Sequence, residues 1–518
     1  MTLPANLSFL EATARATTSG TSDAAHRDAI LACLKGDHWR GGAGWVGPRL
    51  PAENKLAQEF LNAVEAQFIP KNALLEIARR HTGAVIGRYP SIKLALAEAA
   101  GDPTEAQKKE MQAGESALTL HLDTVGALAK LQQFTRYLLI GQAEVRGYIP
   151  TGALRNGVVP QDDLLTSIKR IRMQVPKPGA AQIVDDEETG ARYATYTSKN
   201  AEGKQTAEIS YLTDDGLTVI KQARESSILA PTGDLAQKDN ATDPVDMGGF
   251  LPIVQAFRDQ FLTPTQLRNN MMVNFAKTAI LRNAELAAVL ERYGINILPP
   301  GEWVSDVQSP GGMRFQPSAD FRPGGANATF YGPNYQPDSQ GGFAAASGGQ
   351  YGRFEPVSPA ALIATKEDGY GDMLDEASQS HMKISGDATA SGEARIQAMN
   401  DFKTSLYETA TAIEAALTAY LSCVLHWAAS LSGQPGRFKD YRVVIQCKIT
   451  AAQPTVLERA QVIAERDGGL RSDEDAMNQI GIEDTDQMLA AVQADQEKKT
   501  AAGQAQAKLL GLALGDTG

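Results

Sequence analysis

The sequence predicts a mixed α+β fold in which two long helices carry a β-rich excursion between them. Three observations lead there. A helix-start signature at Thr263-Pro264-Thr265-Gln266 opens a run with no further proline until Pro299. Threonine suits the cap, proline the first helical position, and glutamine the reciprocal bond three residues after the cap. Residues 294 to 357 then become rich in glycine and proline, with short Ile, Val, Phe and Tyr runs that suit small strands and turns. Ser358-Pro359 repeats the cap-then-proline device and restarts a helix. The chain therefore runs out along a shaft and comes back.

Residues 1 to 140 read as largely helical, with helices over Asp28 to Leu34, Asn54 to Gln67 and Asn72 to Thr82. Glu105 to Leu139 reads as one long helix or a pair, and residues 36 to 47, with Trp39 and Trp45, as a loop in which Asp37-His38-Trp39 locks a turn. Near Gly141 to Ile149 the apolar period falls to two, and strands follow at Ala181 to Val184, Arg192 to Thr197, Ala207 to Tyr211 and Thr218 to Lys221. Asp185 to Gly190 is a hairpin turn, since its four acidic residues lack the alternate spacing of a calcium loop. Asp234 to Asp246 is a polar surface connection towards the shaft.

The first shaft helix, Thr263 to Arg292, presents Leu267, Met271, Phe275, Ile280, Leu286 and Leu290 near the helical period, and Gly294 stops it. Its thirty residues span about 45 Å. The second carries Leu362, Ile363, Tyr370, Met373 and Leu374 towards Met382. Lys383 to Gly392 is short in side chain and suits a mobile loop. Ser391 caps a third helix, apolar from Ala394 and Ile396 through Met399, Phe402, Leu406 and Ile413 to Leu431. Tyr441 to Cys447 alternates as a strand, and Pro454 to Arg466, Ser472 to Ile480 and Asp484 to Asp495 form short acidic helices before an Ala/Gln/Lys-rich tail.

Composition narrows the classes of function. The net charge of −12 argues against a protein that grips nucleic acid through many phosphate contacts. No apolar run reaches membrane-spanning length; Ala415 to Leu431 comes closest and reads as a buried helix. Met1 to Gly20 lacks a basic start followed by an apolar block, so no signal peptide is expected. Cys33, Cys423 and Cys447 are odd in number and widely spaced, which fits buried thiols in a reducing compartment.

Catalytic signatures are missing. The one Gly-Lys pair, Gly203-Lys204, stands outside any phosphate-binding loop. The histidines His26, His38, His81, His121, His381 and His426 show no zinc-hydrolase spacing. A metal at His26, Cys33 and His38, or His381 acting as a base for Ser385 or Ser391, is the reading a hydrolase with a lid over residues 295 to 357 would need. No catalytic residue, metal or cofactor is expected.

Four features in this order resemble the portal proteins of tailed double-stranded DNA bacteriophages: Lys35-Gly-Asp-His-Trp-Arg40, Gly248-Gly-Phe-Leu-Pro-Ile253, the helix–excursion–helix unit, and Ser391-Gly-Glu-Ala-Arg395. The resemblance covers nearly the whole chain. It implies a wing over 1–262 (helical over 1–140, a strand-rich sheet or barrel over 141–225), a stem helix over 263–292 and a clip over 293–357. A second stem helix over 358–380, a tunnel loop over 381–393, a long wing helix and returning strand over 394–452, and a crown with its tail over 453–518 complete it.

It also implies a cyclic ring of twelve copies at one capsid vertex of the virion, assembled in the host cytoplasm, without a membrane. Double-stranded DNA would pass through it without sequence specificity. Its partners would be the terminase large subunit, the major capsid and scaffolding proteins and a head-tail adaptor. Lys383, Ser385, Asp387, Thr389 and Ser391 would face the DNA from the tunnel loop, and the stem charges Arg268, Lys277, Arg282, Lys366 and Asp372 would pair between copies. Arg292, Asp375 and Glu376 belong to the same set of stem charges. A lidded hydrolase, and a capsid or tail-tube subunit, are the competing readings.

Overall fold

The computed structural model describes residues 24–36, 69–97, 103–150, 163–185, 192–199, 205–224, 243–288, 292–295, 297–298, 301–308, 312–317, 332–333, 335–337, 343–345, 350–353, 358–384, 392–449, 456–468 and 476. The predicted helices at 54–67 and 484–495, the loop over 37–47, the tail, and all of 472–480 except Ala476 lie outside them.

The first layer contains α1 (Ala24–Lys35), α2 (Ala73–Val85), β1 (Ser91–Leu96), α3 (Glu105–Thr124) and α4 (Ala127–Leu138). Thr104 opens α3 through a capping box: its hydroxyl accepts from the Gln107 amide at 3.3 Å, and Gln107 returns the bond to the Thr104 amide at 2.9 Å. The stretch predicted as one helix or a pair is a pair, because Gly126 adopts φ +59° and turns the chain between α3 and α4.

The strand-rich layer follows with β2 (Gln142–Tyr148), α5 (Leu164–Ile168), β3 (Arg172–Gln174), β4 (Ala181–Asp185), β5 (Arg192–Lys199), β6 (Gln205–Leu212), β7 (Thr218–Arg224) and β8 (Ile253–Phe257). Its two antiparallel sheets run β3-β2-β8 and β4-β5-β6-β7. β8 lies outside the predicted strand-rich range, and β1 lies inside the predicted helical one.

Next comes the hairpin: α6 (Pro264–Ala288); the short strands β9 (Arg292–Ile295), β10 (Ile297–Leu298), β11 (Gly301–Ser305), β12 (Met313–Pro317), β13 (Gly332–Pro333), β14 (Tyr335–Pro337), β15 (Phe343–Ala345) and β16 (Gln350–Arg353); then α7 (Ala360–Glu376). The chain closes with α8 (His381–Ile384), α9 (Gly392–Leu431), β17 (Tyr441–Gln446) and α10 (Val456–Asp467). β17 pairs antiparallel with β1, from Ser91↔Gln446 to Leu96↔Tyr441, and joins neither of the two larger sheets.

The core is organised around α9. Leu406, Ile413, Leu417, Leu421, Val424 and Trp427 are buried among Leu118 and Leu122 of α3, Leu131 and Phe134 of α4, Val145 of β2 and Val443 of β17. Residues 420 to 429 are buried on every side, which explains a run without amphipathic alternation. The helix is long and apolar enough to cross a membrane, but 67% of its most apolar stretch is covered by the fold. Ala394, expected on the apolar face, is exposed. All three cysteines are free and buried, and burial pushes each thiol up to about 12.

One face of β2 is apolar against α9, while the other carries Glu144 and Arg146 into a polar layer against the four-stranded sheet. The Arg146 guanidinium donates to both oxygens of Glu208 and, at 3.1 Å, to Gln174. It is sandwiched by the rings of Tyr148 and Tyr196, at 4.8 and 4.3 Å. Glu144 is fully buried; its Oε1 accepts from Gln142 and from the Gly179 amide, and its Oε2 has no partner among the described residues.

Burial pushes the Glu144 carboxyl up from 4.5 to about 7, against the lowering effect of those bonds, Arg27 and Gln255. The folded chain thus holds a proton that the unfolded chain has lost between those values. The stability from this group is complete below about pH 4.5 and is lost as pH rises through about 7, by roughly 3 kcal/mol. Glu144→Gln is expected to keep more of its melting temperature between pH 5 and pH 8 than the wild type does. Equal losses in thermal unfolding at the two pH values would show that Glu144 does not titrate in this range.

Candidate functional site at the helical hairpin

Local chemistry starts α6 as the sequence predicts. The Thr263 hydroxyl accepts from the Gln266 amide at 3.2 Å, and the Gln266 side chain accepts from the Thr263 amide at 3.3 Å. The buried face of the helix differs from the predicted one. Leu267 and Met271 are buried, but Phe275 is 37% exposed, Ile280 is half-buried, and the sunken face carries Gln266, Asn270, Asn274 and Thr278, all fully buried.

These polar residues are spaced four apart, and three of them hold the chain that leads into α2. The Ala73 amide donates to Asn270 Oδ1 at 3.0 Å, the Lys71 amide to Asn274 Oδ1 at 2.6 Å, and the Ile69 amide to Thr278 Oγ1 at 3.1 Å. Four helical residues rise about 6.0 Å, and two residues of near-extended chain advance about 6.6 Å. The two repeats therefore stay in step, running antiparallel. Cys33 ties α1 to the same point: Asn270 Nδ2 lies 3.6 Å from its sulfur, and Asn72, which caps α2 by accepting from the Leu75 amide at 3.0 Å, donates to its carbonyl.

α6 ends at Ala288, and Arg292 stands in β9 rather than on the helix, so the shaft is about 37 Å long. β9 pairs with β16, from Arg292↔Arg353 to Ile295↔Gln350, so the excursion closes on itself at its base. Its other described strands also pair with one another. In β11–β12, Trp303 and Phe315 meet edge to face at 5.5 Å, and Val307 at the tip is 95% exposed.

α7 returns alongside α6. A Cβ on the buried Gly369 would stand 2.7 Å from Met272 Cε, 3.3 Å from Val273 Cγ2 and 3.8 Å from the Asn269 carbonyl, so this glycine sets the close approach of the two helices. Tyr370 binds Glu76 of α2 at 3.3 Å, and Gln379 Nε2 donates to the Ile77 carbonyl at 3.0 Å. α7 does not continue to residue 380: the chain breaks at Ser378, with φ +51°, before the single turn of α8. Ile363, expected on its apolar face, is 37% exposed.

The predicted site residues fall into three groups. Arg268 and Asp372 are exposed and Lys277 is half-buried, and none of them makes an ion pair with a described residue. Lys366 lies 3.7 Å from Glu367. Lys383 belongs to α8 rather than to a loop, and its ammonium pairs with Asp375 of the same chain. Burial acts against the Asp375 charge, but hydrogen bonds from Lys383 and Ser380 and the Lys383 charge outweigh it and hold the carboxyl low. Arg282 lies on α6, its side chain outside the described part; Ser385, Asp387, Thr389 and Ser391 are also outside the described residues. Glu376 receives the Thr263 hydroxyl at 3.4 Å.

The histidines at the root of the hairpin serve packing. His81 stacks on Phe261 at 4.3 Å and bonds Thr409 at 2.8 Å, and burial, with the Arg258 charge, pushes it down to about 3. His381 stacks on Phe402 at 4.7 Å and is pushed down by burial and then by Arg80. His121 meets the Tyr420 hydroxyl at 3.0 Å. Among the described residues no three of His, Cys, Asp and Glu converge to hold a metal. A cleft of about 420 Å³ between β8 and the alanines of α9 has no acid, histidine, serine or cysteine among the described residues that line it, so these supply no acid–base pair.

The candidate site is therefore a surface: a two-helix shaft, keyed into the helical layer at one end and carrying a self-paired β unit at the other. No protein-family model matches the chain, and no curated protein matches it significantly. Asn274→Ala removes the acceptor of the Lys71 amide and is expected to cost about 1–3 kcal/mol and to raise amide exchange over residues 69–73. Unchanged exchange there would show that the polar seam does not hold this segment. Gly369→Leu is expected to lower the melting temperature by several degrees by forcing α6 and α7 apart, whereas the exposed change Asp372→Ala leaves it in place.

Proposed function

We propose that this chain is a phage portal protein: a ring-forming subunit whose copies line a channel through which double-stranded DNA is packaged and ejected. The observation that carries the reading is the order of parts around the hairpin. A long helix leaves the wing, a β excursion closes on itself at the far end, a second helix returns, and a short connection leads into the 40-residue helix at the centre of the core. α6 and α7 are then the stem, β9 to β16 the clip, residues 385–391 the tunnel loop, and α10 the start of the crown.

Physical features of the hairpin support a subunit that is completed by others. The described strands of the excursion form two-stranded pairs, which are marginally stable alone, and neighbouring clips in a ring would supply further strands. α7 exposes Asp368 and Asp372 without an ion pair to a described residue, beside Glu367 and Asp375 that pair with Lys366 and Lys383, and unpaired carboxylates on a channel wall repel phosphate and let DNA slide. In this reading the protein is not an enzyme; the terminase supplies ATP hydrolysis and docks on the clip, as the head-tail adaptor does after it, and capsid and scaffolding proteins surround the wing at one vertex of the virion. Light scattering and electron microscopy of the purified full chain test this. Rings of about twelve copies with a central hole are expected from head-to-tail closure, and a monomer or dimer at every salt concentration would overturn it.

A further inference from the structure

The three-stranded and four-stranded sheets approach each other at β8 and β4, and only one of these two edges is closed. β8 is an outer strand, paired with β2 alone among the described residues. At the ends of that pairing the Gly147 amide donates to the Pro252 carbonyl at 2.7 Å and the Arg258 amide to the Gly141 carbonyl at 3.1 Å. Backbone groups of an antiparallel strand point to alternate sides. Those of Val254 and Ala256 therefore also face β2, and those of Ile253, Gln255 and Phe257 face away from it. The amides and carbonyls of these three make no hydrogen bond to a described residue. β4 is treated differently: the Gln255 side chain accepts from the Ile183 amide at 3.0 Å and donates to the Ala181 carbonyl at 3.2 Å, as a neighbouring strand would.

The cleft of about 420 Å³ runs along the open edge of β8. Side chains alternate across a strand. Val254 and Ala256 share the face of Val145, against α9, whereas Ile253 and Gln255 share that of Arg146 and Glu144, against the four-stranded sheet. The cleft continues both layers outward, with Ala412, Ala415, Ala416 and Ala419 of α9 on one side and Ile183 and Leu212 on the other. A strand laid beside β8 would lie between the same two layers as β8 itself.

We propose that this slot binds an extended segment of a separate polypeptide, which adds to β8 as a further strand. Outward-facing amides and carbonyls at every second residue, over about 14 Å from Ile253 to Phe257, match an extended backbone of about five residues. The alanines leave room for large apolar side chains on one face, and Ile183 and Leu212 meet apolar side chains on the other. Phe257, 63% exposed, stands at the end of the edge as a further contact. Arg192 lines the slot and no acid does among the described residues, so the segment carries no lysine or arginine within it. The same charge argument disfavours a second copy joined through the other outer strands of these sheets, because β3 brings Arg172 and β7 brings Lys221. The proposal is independent of the ring reading.

Amide exchange of the full chain over residues 253–257 tests it. The probe is a mixture of capped six-residue peptides with serine at both ends and Val, Leu, Ile or Phe at each inner position. In the chain alone, the Gln255 and Phe257 amides are expected to exchange at least tenfold faster than those of Val254 and Ala256. Saturating peptide is expected to slow them at least tenfold, and the same mixture with every inner amide nitrogen methylated to leave them unchanged. Ala415→Trp, at an exposed position of α9, fills the slot and is expected to abolish the slowing without lowering the melting temperature. No slowing in the wild type, or slowing that survives in Ala415→Trp, would overturn the proposal. Slow exchange in the chain alone would overturn it too, assigning the edge to the chain's own residues if independent of protein concentration and to a second copy if it grows with concentration.

Discussion

Three hydrogen bonds from backbone amides to side chains of one helix set the register of the hairpin against the helical layer. Asn270, Asn274 and Thr278 of α6 accept from Ala73, Lys71 and Ile69, and each bond joins residues about two hundred positions apart in sequence. The Ala73 amide is one that the start of a helix cannot satisfy itself, those of Lys71 and Ile69 lie in the irregular chain before the cap, and a buried amide without an acceptor costs about 1–3 kcal/mol. The asparagines remove that cost, and because their spacing matches that of the amides, they also fix how far α6 can slide. An apolar face of leucines would pack as tightly but tolerate several registers. The seam uses acceptors more fully than donors: the amide nitrogens of Gln266 and Asn274 find no partner among the described residues.

A second polar contact has the same character. The Arg146–Glu208 pair and the neutral-leaning Glu144 sit between two sheets that would otherwise meet through apolar side chains. A buried ion pair is weak evidence for stability, since desolvation offsets most of its attraction. What it supplies here is orientation, because a bidentate guanidinium held between two tyrosine rings accepts one geometry. Wing and shaft are thus both positioned by directional bonds, while the bulk of the hydrophobic stabilisation comes from α9 and the layers around it.

That division of labour leaves one side of the shaft uncovered. The shaft buries its polar seam against its own chain and leaves Met272, Phe275, Ile363 and the aspartates of α7 outside. Lys383, which the family resemblance implies would face DNA, is partly neutralised by Asp375 eight residues before it.

The sequence by itself determined the parts whose signals are local. The Thr263–Gln266 capping box, the alternation of β4 to β7, the glycine-rich excursion and the long apolar run of α9 each depend on residues within a few positions of one another, and all are found where expected. Only the tertiary structure decided which face of α6 is buried, that β17 would pair with β1 across 355 residues, and that Lys383 would be ion-paired. The reason is physical. Periodicity reports where apolar side chains lie on a helix, but the value of burying Asn274 rather than Phe275 is set by an amide 203 residues away, and nothing in the neighbourhood of either residue encodes it.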